Sequence, residues 1–242
     1  MNSFFTSVRE TVAPRPGARH GPLPPLLVGL TVVTGLVDAF SYLVLGHVFV
    51  ANMTGNVVFL GFALVGTPGF SIGASAVALV SFWLGARAGG EFGARVRGHR
   101  GRHLTTAASG QAVLLAVSVL LAALSPHPVP GGFRYPLIVA LAFAMGIQNA
   151  TARKLAVPDL TTTVLTLTIT GIAADSTVAG AASSTGRRVV SVASMLVGAL
   201  VGAVFVLHVA IVLPLVVALV VMVVIAVASH LLARGDPGWV RP

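Results

Sequence analysis

Apolar residues run in long blocks along this chain, separated by short polar, glycine-rich or proline-rich breaks. The first block, Leu26 to Gly46, is long enough to cross a bilayer as a helix, which takes about 20 apolar residues. After Gly46-His47 a second block runs from Val48 to Val65 and closes at Gly66-Thr67-Pro68-Gly69. The third, Ser71 to Gly90, carries Trp83 and the spacing Gly85-x-x-x-Gly89, which lets two helix backbones approach closely in lipid. The fourth, Leu104 to Leu124, has Gln111 as its one large polar residue, and the fifth runs from Pro136 to Ala156. The sixth, Leu160 to Ser183, is rich in threonine: Thr161, Thr162, Thr163, Thr166, Thr168 and Thr170. The seventh, Val189 to Leu207, repeats the glycine spacing at Gly198 and Gly202, and the eighth, Val209 to Leu232, is aliphatic apart from Pro214. The pattern predicts an all-α, polytopic membrane bundle of six to eight spans over residues 26–232. A basic N-terminal tail (1–25) carries Pro14, Pro16, Pro24 and Pro25 and is expected to be flexible and to lie at the lipid surface. A short C-terminal tail (233–242) follows.

The blocks repeat. Gly35, Asp38 and Ala39 match Gly146, Asn149 and Ala150 at an offset of 111, and Gly85 and Gly89 match Gly198 and Gly202 at 113. Thr54 and Asn56 match Thr166 and Thr168 at 112, or Thr54-Gly55 pairs with Thr170-Gly171 after a longer insertion. The expectation is two homologous halves, about 26–124 and 136–232. Internal repeats meeting around a polar site are a common plan for secondary transporters. Eight spans would place the N-terminal arginines and the Arg95–Arg102 loop on opposite sides of the membrane. Six would bring both inside, in keeping with the positive-inside tendency.

Composition sharpens the class. Of 242 residues, 56% are hydrophobic and 9% charged, and mean hydropathy is +0.96, whereas a soluble domain carries about 25% charge. There is no cysteine, which excludes disulfides and thiol chemistry. The 15 basic and 6 acidic residues would suit nucleic acid if the cations shared a face. They stand instead in clusters beside the apolar blocks, as topology determinants and lipid-phosphate contacts do, and no nucleic-acid partner is expected.

Asp38 is the sharpest candidate, being the only carboxylate between Glu10 and Glu91. A charge at the middle of a span costs about 2.5–3.5 kcal/mol on insertion scales, so such a group faces protein or a watery cavity. It reads as a protonatable or cation-binding centre, or as a structural carboxylate held by hydrogen bonds. Asn52, Thr54, Gly55 and Asn56 offer donors and acceptors beside a glycine that permits a helix break. Gln148 and Asn149 are the repeat counterparts of Val37 and Asp38, and Thr163 and Thr166 extend the same set. Arg87 is the candidate counter-charge for Asp38, and Asp175 a secondary acidic candidate. Gly85, Gly89, Gly198 and Gly202 are read as helix-packing positions. Arg153 and Lys154 are expected to snorkel to headgroups. His99 and His103 have i,i+4 spacing, but among four arginines no metal site is expected, and no nucleophile or phosphate-loop motif is present. No cofactor or enzymatic activity is expected.

The runs VDAFSYLVLGHVFVANMTGN from Val37, MGIQNATARKL from Met145 and TTTVLTLT from Thr161, in that order, resemble the YoaK-like family of uncharacterised bacterial integral membrane proteins. Where the family often has Thr-Gly after the threonine pair, this chain has Thr166-Leu167. The resemblance implies a multi-pass helical fold in the bacterial cytoplasmic (inner) membrane and brings no established activity. On the residues themselves, the leading expectation is a small secondary transporter, moving a small polar solute or proton through the polar residues above. The competing one is a membrane scaffold or assembly partner in which those residues only fix helix register. The lipid bilayer is the expected partner, and a homo-oligomer is left open.

Overall fold

The computed structural model describes residues 2–15, 17–95, 98–160, 162, 165–174, 181–235 and 237–241. Its helices are α1 (Asn2–Val12), α2 (Leu23–Val44), α3 (Met53–Leu64), α4 (Ile72–Arg95), α5 (Arg100–Leu124), α6 (Gly131–Leu155), α7 (Leu165–Ala174), α8 (Ala181–His208) and α9 (Leu213–Leu232), with a 3₁₀ turn at Gly238–Val240. Among the described residues no strand occurs. The protein is a polytopic helical bundle in which six helices, α2, α4, α5, α6, α8 and α9, are long and apolar enough to cross a membrane.

Two of the eight apolar blocks therefore do not yield a described spanning helix. The second shortens to the 12 residues of α3, about 18 Å at helical rise against a hydrocarbon core of about 30 Å. The reason is local. The amides of Phe49, Val50 and Ala51, which would open a helix, are taken by side chains instead: Phe49 N–H donates to Asn56 Oδ1, and Val50 and Ala51 N–H donate to Asp38 Oδ1. At the other end Gly66 and Gly69, both at positive φ, turn the chain away. In the threonine-rich block α7 accounts for 10 described residues. Within the N-terminal tail, residues 2–12 form a helix that packs on α8: Ser7 and Thr11 are buried, and Gly186 of α8 leaves room for Ser7 and the Phe4 carbonyl.

Helix pairing is crosswise. α2 lies along α8 and α4 along α6, while α5 packs on both α6 and α9, and α9 on α2. The short helices sit on their neighbours, α3 on α4 and α7 on α8. The two long pairings are made by glycine. A Cβ at Gly85 would strike the Phe143 carbonyl of α6, and one at Gly146 would strike the Phe82 carbonyl of α4. On the other pair, a Cβ at Gly35 would collide with the Met195 carbonyl and lie 2.6 Å from Ala199 N, while one at Gly198 would strike the Val32 carbonyl. Gly89 and Gly202 continue these contacts one turn on, against Ile147 and Leu36. Backbone meets backbone, which is what small residues at a lipid-embedded interface allow.

The bundle has two unlike ends. At one, Arg100 Nη2 donates to the Leu155 carbonyl (2.8 Å), Lys154 Nζ donates to the Gly90 carbonyl, and Arg187 Nη1 donates to the Pro158 carbonyl (3.3 Å). The half-buried ion pair Arg188–Asp159 (2.8 Å) and Trp239, packed against Gly21 and Gly101, also lie there. At the other end, Arg134 Nη2 reaches the Gly46 carbonyl and His47 Nδ1 lies 3.0 Å from the Gly69 carbonyl. Tyr42, His47, Phe49, Phe59, Phe62 and Phe70 form one ring cluster beside them. Arg134 sets one arginine at this second end against Arg100, Lys154, Arg187 and Arg188 at the first.

Candidate functional site

The polar residues of α2 form a stripe. Thr31, Thr34, Asp38 and Ser41 fall at spacings of three and four, one face of a helix, and all four are buried. Thr31 and Thr34 return their hydroxyl protons to the carbonyls of Leu27 and Leu30, and Ser41 donates to the Asp38 carbonyl. Such back-bonding satisfies the hydroxyls within the helix and leaves their oxygens free to accept.

Asp38 stands toward the His47 end of this stripe. Its Oδ1 accepts from Val50 N–H (3.0 Å) and Ala51 N–H (2.8 Å), and its Oδ2 is buried without a partner. Asn56 completes the hold on the same connection. Its Nδ2 donates to the Phe49 carbonyl (2.6 Å) and its Oδ1 accepts from the Phe49 N–H (2.9 Å), closing a two-point clamp on one peptide group pair. Asp38 and Asn56 are thus brought together around residues 45–52. Asn52 is the N-cap of α3, without a side-chain capping bond, and both Asn52 and Thr54 are exposed. Gly55 admits the Phe49 ring, which lies 2.7 Å from where its Cβ would be.

On α6, Gln148 is fully buried and crosses to α2, its Nε2 donating to the Thr34 hydroxyl (2.7 Å) and the Leu30 carbonyl (3.2 Å). Gln148 Oε1 and the hydroxyl of Thr151, one turn on, are buried with no partner. Thr34, Thr31 and Thr151 were not singled out from sequence. The signal for them was the three- and four-residue spacing of hydroxyls around Asp38 and Gln148. Asn149 turns away and donates to the Met145 carbonyl within its own helix (3.0 Å).

Asp38 does not share a level with Gln148. It lies four residues beyond Thr34, about 6 Å further along α2 toward the His47 end. Asn149, six residues before the end of α6, lies toward the basic end. The sequence-predicted residues therefore divide into a clamp near one end and an α2–α6 crossing deeper in the bundle. Arg87 is not placed as a counter-charge: its Nε lies 3.0 Å from Glu91 Oε1, and both side chains are exposed. Thr166 is exposed on α7, and Thr163 and Asp175 lie outside the described residues. Gly85, Gly89, Gly198 and Gly202 all sit at helix–helix contacts. Among the described residues no group of His, Asp or Glu is arranged to hold a metal.

Residues 26–228 match the family described as Protein of unknown function (DUF1275). The chain is also similar to the UPF0700 transmembrane protein YoaK of Bacillus subtilis (strain 168), 35% identical over 156 residues, which cover 62% of this chain and 65% of that protein. No solved structure matches.

Proposed function

From the premise that this chain belongs to the DUF1275 family of membrane proteins, we propose that it is a secondary transporter of a small polar solute in a bacterial inner membrane, rather than an enzyme. Its two homologous halves are inverted relative to each other. The first half comprises α2 to α5 and the second α6 to α9. Each contributes three helices long enough to span and one short one, and an odd number of crossings turns the second half upside down. The pairing supports this reading. Exchanging the halves converts α2·α8 into α6·α4, α5·α6 into α9·α2 and α3·α4 into α7·α8, and every one of these contacts is present. The glycines follow the same exchange, Gly35 with Gly198 and Gly146 with Gly85. Inverted repeats with interrupted helices are the plan on which alternating access is built.

The observation that carries the transport reading is the set of buried polar atoms left without partners inside the bundle: Asp38 Oδ2, Gln148 Oε1 and the Thr151 hydroxyl. Each such group costs about 1–3 kcal/mol when nothing satisfies it. Water, a proton or a solute polar group supplies the missing partner at intervals of the cycle. Asp38 is the proton- or cation-responsive centre of this proposal, poised on the connection that leads into α3.

A second reading is favoured by a specific observation. Asp38 Oδ1 and both ends of the Asn56 amide are engaged by backbone, as in a scaffold whose polar groups only fix a turn. The absence of native cysteine lets one experiment separate the two. Single cysteines at Thr151 and Gln148 should react with small, water-soluble thiol reagents in membranes, at rates that fall when Asp38 is changed to Asn. Sites sealed to those reagents from both sides would leave the scaffold standing.

A further inference from the structure

A groove of about 360 Å³ runs between α4 and α5 over α6, lined by Gly89, Phe92, His103, Thr106, Gly110 and Ile147 among others. It starts at His103 in the first turn of α5 and reaches Val113, ten residues on, which is about 15 Å at helical rise. That is half the thickness of a bilayer core, the depth of one leaflet. Thr106, Ser109, Gly110 and Val113 are exposed on the outer face of the bundle, so the groove opens sideways onto lipid. Gly89 and Gly110 make it: the first brings α4 against Ile147, and the second leaves open space where a side chain would stand.

Lys154, with Arg102 and Arg153, makes the mouth cationic. His103 is buried and its Nε2 has no partner, and Lys154 lies beside it, since His103 Cε1 and Lys154 Nζ both come within 3 Å of where a Cβ on Gly93 would stand. Lys154 gives one proton to the Gly90 carbonyl and, as an ammonium, keeps two more. Arg102 and Arg153 are exposed next to them in sequence. The nearest carboxylate along α4, Glu91, is paired with Arg87. We infer that this groove holds one acyl chain of an anionic phospholipid, whose headgroup phosphate is bound by His103 and Lys154. The depth matches a single leaflet and the charge complements a phosphate at the level where headgroups lie.

Native mass spectrometry of the full-length protein in mild detergent, titrated with phosphatidylglycerol, phosphatidylcholine of the same chains, and inorganic phosphate, tests this. The expected result is phosphatidylglycerol retained at least ~10-fold better than phosphatidylcholine, a difference of about 1.4 kcal/mol. Gly110→Leu starts from a position where an added Cβ meets nothing within 4 Å, puts its side chain into the groove, and should reduce that retention by a similar factor while the melting temperature holds. Lys154→Gln should remove the preference for the anionic lipid and leave chain binding. The inference is overturned if Gly110→Leu retains phosphatidylglycerol as the parent does. It is equally overturned if the two lipids bind alike to the parent, or if inorganic phosphate alone competes the lipid away.

Discussion

Asp38 and Asn56 act on the same few peptide groups, and their substitution should separate by what each replacement can still accept or donate. Asp38→Asn keeps an oxygen for the Val50 and Ala51 amides, whereas Asp38→Ala leaves both buried donors unpaired. Thermal unfolding in detergent should find Asp38→Ala less stable than Asp38→Asn by about 2 kcal/mol or more. Equal loss in the two would mean that charge, and not the hydrogen bonds to the connection, is what Asp38 supplies. His20, outside the spans, gives a pH signature. Burial, and then the positive charges of Arg100, Arg19 and Arg187, hold its pKa below the usual histidine value of about 6.5. The unfolded chain therefore binds the proton first as pH falls, so the stability His20 contributes is full above about pH 6.5 and declines through the more acidic range. In His20→Gln that part of the decline between pH 7 and 5 should disappear from a melting-temperature profile. The cost of Asp38 was readable from sequence, because a lone carboxylate in an apolar run must be answered somewhere. Its partners were not, since they lie 12 and 13 residues away across a connection whose path no spacing rule gives. The partner of Gln148 lies 114 residues away.

At the level of the helices, glycine decides which surfaces meet. Gly85→Ala and Gly35→Ala each drive a methyl into a neighbouring backbone carbonyl, which cannot move aside as a side-chain tip would. Overpacking of this kind costs about 1–3 kcal/mol, and both variants should melt lower or fail to accumulate. Gly61 and Gly90 face open space, and alanine there should be neutral or slightly stabilising through helix propensity. A melting series that ranked the four together would contradict the close approach. The Gly-x-x-x-Gly spacings were legible as contact positions. Their partners, Gly146 and Gly35, were visible only as repeat-matched residues, because pairing between distant helices is a property of the assembled bundle. Hydropathy also marked out α3 as a block long enough to span. It had no access to the Asn56 and Asp38 side chains that take the amides of Phe49, Val50 and Ala51 and keep them from opening that helix.

For the molecule as a whole, the charge pattern and the span count now agree. With the six candidate helices as crossings, the N-terminal arginines, Arg100, Arg102, Lys154, Arg188 and Arg234 gather at one end, as the positive-inside tendency asks. On the proposed reading of two homologous halves, three spans apiece make those halves inverted. They place the α3–α4 connection and the α6–α7 connection on opposite faces of the membrane, whereas parallel halves of four would exchange those faces relative to the C-terminal tail. Because the chain has no cysteine, single cysteines at Thr67, Pro158 and Arg234 can be probed in intact and lysed cells with a membrane-impermeant maleimide. The account predicts labelling of Thr67→Cys from outside, and of Pro158→Cys and Arg234→Cys only after lysis. Thr67→Cys protected on the side of Arg234→Cys, with Pro158→Cys labelled from the other, would contradict it.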